Sequence, residues 1–310
     1  MIKIKKNKIL ITGSNGFIGK NIFDYFSSRK LEVYGLTKKN CDLTNYRKVN
    51  SYFRKIKPKY VVHCAAKSGG LKYNLENPAV IFSENLIILR NVLLNCSKFS
   101  IKKLILICNS CMYPEKIKRK FKESDIFKGP PDPTSEATAF SKLAYLVGSR
   151  TFKKQFQLNS TCIVLPNVYG PKDNFSLDNS HFVGALIRKI ATAKGKNLNS
   201  VKFWGTGHEI RDVIYVDDIA ESIIRILKNN INSEILNISS GNGYKIKEYV
   251  NIIKKILNYN GKVKWKKKLS GADKKILDNK ELKRKLKWLP KTNLTAGLSK
   301  TINWYLENNL

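Results

Sequence analysis

Residues 9–19 read Ile-Leu-Ile-Thr-Gly-Ser-Asn-Gly-Phe-Ile-Gly, and no other stretch of the chain restricts its fold so tightly. Three apolar residues, Ile9 to Ile11, run straight into Gly13, Gly16 and Gly19. Helical spacing then places Ile22, Phe23 and Phe26 on one face. The order predicts a strand, a tight turn and a helix N-terminus. Gly13 lets the chain leave the strand at a φ that other residues avoid. Gly16 leaves room for a pyrophosphate against the backbone, and Gly19 lets the helix pack close to the sheet. The first N–H groups of that helix, with their partial positive charge, face the phosphates. The expected dinucleotide cradle is therefore Gly13, Ser14, Asn15, Gly16, Phe17, Ile18 and Gly19. A glycine turn without a ligand is the plainer alternative, and the flanking strand and helix favour the dinucleotide.

The rest of the first half repeats strand and helix in alternation. Leu31 to Leu36 predicts a second strand, followed by Thr37-Lys38-Lys39 rather than an acidic residue. An acidic residue there would hold the ribose 2′-hydroxyl of NAD, whereas Lys38 suits a 2′-phosphate, so NADP(H) is expected over NAD(H). Asp42 is placed to reach the adenine region. Tyr60 to Cys64 is a continuous apolar run, as a strand buried on both faces requires. It ends in Ala65, Ala66 and Lys67, where small side chains let a cofactor lie against the backbone. A helix over 77–97, a strand at Leu104 to Cys108, a helix over 136–152 carrying Lys142 and a strand at Ser160 to Leu165 follow. This alternation predicts an α/β fold, a doubly wound parallel (Rossmann) sheet with ligands at the strand C-termini. We expect residues 1–172 to form the cofactor domain, with a return at about 212–230. Residues 173–310 should form a smaller, irregular α/β lobe that binds substrate.

Composition narrows the partners. The chain of 310 residues carries a net charge of +35, with lysines spread from end to end and no aromatic-interleaved nucleic-acid motif. We read the charge as a solvated surface that attracts anionic substrates, and expect no nucleic-acid partner. No apolar run approaches the ~18 residues of a membrane span, and the N-terminus lacks a signal-like apolar segment, so a cytoplasmic protein is expected. The six cysteines are scattered. Cys108 and Cys111 form a C-x-x-C without a second such pair, and no metal site is expected.

Several further segments fall in a telling order. They are A-A-K-S-G-G from Ala65, N-S-C-M-Y-P from Asn109, P-T-S-E-A-T-A-F-S-K ending at Lys142, N-V-Y-G-P-K-D-N-F from Asn167, N-S-H-F from Asn179, F-W-G-T-G-H-E-I-R-D from Phe203, V-D-D-I-A from Val216 and K-K-I-L-D from Lys274. Together they resemble the extended short-chain dehydrogenase/reductases of the NAD-dependent epimerase/dehydratase type. Within these the chain is similar to the GDP-L-fucose synthase family over nearly its whole length.

The resemblance implies two reactions in one site. Epimerisation beside a ketone needs a base to remove a proton and an acid to return one. It places those roles on Cys111 and His181, and both groups exchange protons near neutral pH. Taken alone, a cysteine is more often a small buried hydrophobe and a histidine more often structural. The second reaction is reduction of the C4 ketone by NADPH, for which the superfamily uses Y-x-x-x-K with a Ser or Thr on the carbonyl. Here Lys142 is present, Thr138 stands at the Tyr position, and Asn109, with Ser110 beside it, stands at the carbonyl-binding position. An aliphatic hydroxyl does not ionise near neutral pH as a tuned phenol can. Tyr145, one turn past Lys142, is a substitute phenol only if it reaches the site, and core packing is the simpler expectation. Asn167, Lys189, Trp204, Arg211 and Lys275 match substrate-holding positions: an aromatic face for the base, cations for the diphosphate.

The expected function is thus a nucleotide-sugar epimerase/reductase acting on a GDP-4-keto-6-deoxy sugar or related heptose, working as a homodimer. An epimerase with its reductive half impaired, and a non-catalytic nucleotide-binding protein, are the alternatives.

Overall fold

The computed structural model describes residue 4 and residues 7–69, 71–176, 180–266 and 273–309. Gly70, Asn179 and the lysines at 267 and 268, which belong to motifs and charge clusters read from the sequence, lie outside the described residues. The first strand, β1 (Ile9–Thr12), leads through the glycine turn into α1 (Phe17–Ser28). Then come β2 (Val33–Leu36), α2 (Tyr46–Ile56), β3 (Tyr60–His63), the short α3 (Leu71–Glu76), α4 (Pro78–Lys98), β4 (Lys103–Asn109), α5 (Glu136–Phe156) and β5 (Ser160–Leu165). These strands form a parallel sheet in the order β2-β1-β3-β4-β5, extended by β9 (Ile235–Asn237). From β1 the chain goes to one side to make β2 and to the other to make β3. That reversal opens a crevice at the strand C-termini, where such sheets bind ligands.

Strand periodicity explains how both faces are covered. Leu10, Val61, Leu104, Leu106 and Val164 pack with Phe53, Val92 and Leu146 of α2, α4 and α5. Their neighbours Ile9, Ile11, Val62, Ile105 and Ile163 pack with Ile22 and Phe26 of α1 and with Ile219 and Ile223 of α7 (Val216–Lys228) on the other face. Alternate residues of a strand point to opposite faces, so strands buried twice read as unbroken apolar runs.

The second lobe is built from β6 (Asn167–Tyr169), α6 (Phe182–Gly195), β7 (Ser200–Trp204), β8 (Ile210–Tyr215), β10 (Gly243–Lys245), α8 (Ile246–Ile256), β11 (Lys262–Lys266), β12 (Lys274–Lys275) and α10 (Leu294–Asn309), while α9 (Lys280–Leu286) packs back onto the parallel sheet through Leu282 and Leu286. Strand β8 pairs with β6, β10 and β12, and β7 pairs with β11. A separate core of Val183, Ile187, Phe203, Val213, Tyr249, Ile253 and Leu298 holds the lobe.

By length and composition helix α4 is apolar enough to cross a membrane, and half of its most apolar stretch is buried within the fold. Its buried asparagines explain its place in this fold. Asn91 Nδ2 donates to the carbonyls of Leu43 and Thr44 at 2.9 and 3.0 Å, and Asn85 Nδ2 donates to Lys67 O at 3.0 Å. The helix thereby fastens two loops at the sheet's C-terminal edge. A summed hydropathy misses this because core leucines and isoleucines give the same signal in any buried helix.

Candidate active site: a cleft with a phosphate end and a reaction end

The glycine turn has the geometry its sequence demands. Gly13 sits at φ +68° and its N–H donates to Leu36 O at 2.8 Å. A Cβ on Gly13 would stand 2.8 Å from Ala65 Cα, and one on Gly19 would stand 2.2 Å from Gly13 O. Gly16 precedes α1 with no side chain capping the helix, so the first N–H groups of α1 remain available to an anion. A cavity of about 640 Å³ lies over this turn. Gly13, Asn15 to Gly19, Lys38, Asp42 and Ala65 to Lys67 line it, as expected; Ser14 is buried beneath the turn and does not. Asp42 Oδ1 accepts from Thr44 N and Oγ1 at 3.0 and 2.8 Å, which orients the carboxylate and holds it below its usual range. The crowding at Gly13 and Gly19, the open helix start and the small Ala65 and Ala66 fit a dinucleotide.

A second cavity of about 430 Å³ continues from the first and shares Phe17, Ile18, Cys64, Ala66, Lys67, Ser68 and His181 with it. It gathers Asn109, Ser110, Cys111, Thr138, Lys142, Asn167, His181, Arg211 and Lys275 from seven separate elements or loops. The parallel sheet makes this possible, because β4 and β5 end at the same edge and α5 starts beside them.

Cys111 lies in the single 3-10 turn that follows β4. Its Sγ–H donates to Asn109 Oδ1 at 2.6 Å. Crowding by surrounding protein pushes the thiol up to about 12, against the pull of Lys142 and Lys275, so at neutral pH Cys111 carries its proton. Lys142 Nζ donates to Ile107 O at 3.0 Å and lies 4.0 Å from the centre of the Tyr145 ring. Tyr145 itself is fully buried and faces His63 Nε2 at 3.2 Å, while His63 Nδ1 meets Thr12 Oγ1 at 2.7 Å. Tyr145 does not line the cavity. It is a core residue under Lys142, not a substitute phenol. Burial first, and Lys142 second, hold His63 neutral, with its value down at about 3.

Thr138 is buried and lines the cavity one helical turn before Lys142. No phenol stands in its place. Cys108, the other member of the C-x-x-C, is buried in β4 beside Cys162.

His181 precedes α6 and leaves 46% of its side chain open. Its Nδ1 is 2.6 Å from Asp173 Oδ1, and this hydrogen bond raises the imidazole above its usual value. Arg211 and Lys275 are directly paired across β8 and β12. Lys275 Nζ is 3.2 Å from Asp132 Oδ2, and Arg211 lies half-buried beside it with one guanidinium nitrogen donating to Ile210 O at 2.9 Å. Asn167 donates from Nδ2 to Asp212 O at 3.2 Å and lines the same wall.

Two expected substrate residues stand elsewhere. Trp204 is 58% exposed at the end of β7, and Lys189 lies with its Nζ 5.6 Å from the Phe203 ring centre; neither lines either cavity. Three residues of the site carried no role in the sequence reading. Asn85 braces Lys67 by accepting from its N–H at 2.8 Å and donating to its carbonyl. Asp132 pairs with Lys275, and Asp173 pairs with His181. The signal for Asp173 was present in K-D-N-F, eight residues before the histidine, but spacing across a loop does not reveal a contact.

A model of the NAD dependent epimerase/dehydratase family matches residues 9–239. The chain is 34% identical to GDP-L-fucose synthase 1 of Arabidopsis thaliana over 311 residues, covering 98% of this chain and 94% of that protein. Among solved structures it is similar to a GDP-6-OMe-4-keto-L-xylo-heptose reductase from C. jejuni, with a TM-score of 0.91, 27% identity and coverage of 98% and 99% of the two chains. It is also similar to a GDP-mannoheptose C4 reductase from Campylobacter jejuni with NADP bound, with a TM-score of 0.88, 28% identity and coverage of 97% and 99%.

Proposed function

The chain belongs to the NAD dependent epimerase/dehydratase family, and on that footing we propose that it is an NADP(H)-dependent epimerase/reductase of a GDP-4-keto sugar. The substrate class is a 6-deoxyhexose or related heptose. The observation that carries this reading is the single cavity that brings Cys111 and His181 together with Lys142, Arg211 and Lys275. Protons α to a ketone are acidic enough for side-chain bases, so inversion at C3 and C5 needs one group to take a proton and another to return one. Cys111 and His181 supply that pair: charged His181 returns the proton, and Cys111 takes one only as the thiolate, after its own proton has left the buried site. Asn109 accepts the Cys111 hydrogen bond at Oδ1 and keeps its Nδ2 donors for the C4 oxygen, where negative charge develops. Arg211 and Lys275 hold the diphosphate, with the Arg as the planar bidentate member.

Bound NADPH supplies the hydride for C4. Gly13 to Gly19 hold its pyrophosphate, Asp42 meets its adenosine end, and Lys38 reads its 2′-phosphate. Thr138 is too short to replace a phenol, so proton delivery to C4 runs through Lys142 and water, and reduction is slower than epimerisation.

A second copy of the chain completes the assembly. Val80 and Phe82 of α4, with Phe140 and Val147 of α5, are exposed apolar residues on neighbouring helices. Two such helices from each copy would pair as a four-helix interface.

The experiment offers GDP-4-keto-6-deoxymannose in deuterated water, with and without NADPH. Deuterium at C3 and C5, followed by a slower, NADPH-dependent reduction of C4, is expected. Deuterium without reduction moves the function to the epimerase alone. Neither, in folded protein, overturns the reading for this sugar.

A further inference from the structure

The sequence reading gave Asp173 no role, and its surroundings are unusual for an acidic residue. Its side chain is 1% exposed. Oδ1 accepts from His181 at 2.6 Å and from Asn174 N at 2.7 Å, while the buried Oδ2 has no hydrogen-bond partner among the described residues. The start of α6 closes over it: a Cβ on Gly184 would lie 3.1 Å from Asn174 O and 3.4 Å from Asp173 Oδ2. An ordinary surface pair would leave the carboxylate wet. Here the carboxylate is dry and the histidine is open to the cleft, an arrangement that costs free energy wherever one oxygen goes unsatisfied. Such groups call for a functional explanation.

We propose that Asp173 is the positioning residue of His181, fixing its tautomer and keeping it charged for proton return in the cleft. The proposal rests on the reading of His181 as a proton-exchange group. With Nδ1–H held by Asp173, the neutral ring presents Nε2 to the cleft, and a proton gained there is balanced by the carboxylate. The other groups facing His181 work against its charge or leave it alone. The Phe17 ring at the start of α1 lies 6.0 Å from it. Across the cleft stand the protonated Cys111 and the cations Lys67, Lys142, Arg211 and Lys275, with Asp132 held by Lys275. Among the described residues, Asp173 is the carboxylate in hydrogen-bonding contact with the ring.

The test uses proton NMR of the histidine rings in the full-length protein, which has three histidines, one of them the buried His63. In the wild type, His181 should titrate above the ordinary ~6.5. In Asp173→Asn its midpoint should fall by about one pH unit. Deuterium wash-in at C3 and C5 should then drop about tenfold or more, with its alkaline limb displaced to lower pH by the same amount. NADPH affinity should stay unchanged, and Asp173→Glu should recover part of both effects. A wild-type midpoint at or below ~6.5 overturns the proposal even if the variant fails to fold. So does an unmoved midpoint in folded Asp173→Asn, or a moved midpoint with unaltered wash-in. A wild type without any wash-in defeats the epimerase reading instead, and the titration still decides the pairing.

Discussion

At the phosphate end of the cleft the working groups are backbone atoms, and at the reaction end they are side chains. Gly13 and Gly19 act through what they lack: each stands where a Cβ would collide with main chain. In the proposed reaction Cys111, His181, Asn109 and Lys142 would act through what they carry, and each arrives on a different segment. The two ends therefore respond differently to change. A backbone cradle accepts almost no substitution, because every side chain is wrong in the same way. A side-chain site can exchange one group and alter its chemistry while β4, α5 and the sheet stay in place.

Gly19→Val should produce the largest effect. Its Cβ would sit 2.2 Å from a carbonyl oxygen. Because neither partner is a flexible side chain, α1 must move away from the turn. We expect a loss of ~3 kcal/mol or more in stability, read by denaturant unfolding, and no measurable NADPH binding in whatever fraction folds. Retained wild-type affinity would break the comparison, since the phosphate end would then tolerate side chains too.

Thr138→Tyr tests the opposite end. Restoring a phenol one turn before Lys142 should raise NADPH oxidation on the keto sugar by about 10²-fold. Deuterium wash-in and NADPH affinity should hardly change, because Cys111, His181 and the glycine turn are untouched. An unaltered oxidation rate would show that proton delivery at C4 is not what slows reduction.

The same difference governs how much could be read in advance. The glycine turn and the apolar runs at Tyr60 to Cys64 and Leu104 to Cys108 were legible because local geometry alone dictates them, and the strands run within a residue or two of the expected bounds. The alternation of strand and helix revealed the parallel sheet for the same reason. Cys111, His181, Lys142 and Arg211 were legible only as motif residues, and the structure brings them to one cavity. What stayed hidden were contacts across loops: Asp173 with His181, Asp132 with Lys275, Asn85 with Lys67. No periodicity encodes such pairs. Nor does an aromatic in a matching motif, such as Trp204, say which way the end of β7 faces.

Lys38 sharpens the comparison with the smallest effect. It lies at the phosphate end, yet it works as a side chain: it is exposed on the turn after β2 and lines the cofactor cavity. Asn40 holds that turn, accepting from Thr37 N at 2.8 Å and donating to Gly35 O at 3.1 Å, so a substitution at 38 should leave the backbone in place. Lys38→Glu replaces attraction for a 2′-phosphate by repulsion across solvent. Exposed charges interact by about 1 kcal/mol, so the preference for NADPH over NADH should fall about tenfold, measured as the ratio of the two affinities. The drop should shrink as salt rises, because water and ions screen an exposed pair. Affinity for NADH should barely move, since the pyrophosphate still meets Gly13 to Gly19. A preference that does not shift would mean that the 2′-phosphate is read by groups other than Lys38. The phosphate end would then be a backbone site throughout, and the contrast with the reaction end would be sharper than drawn here.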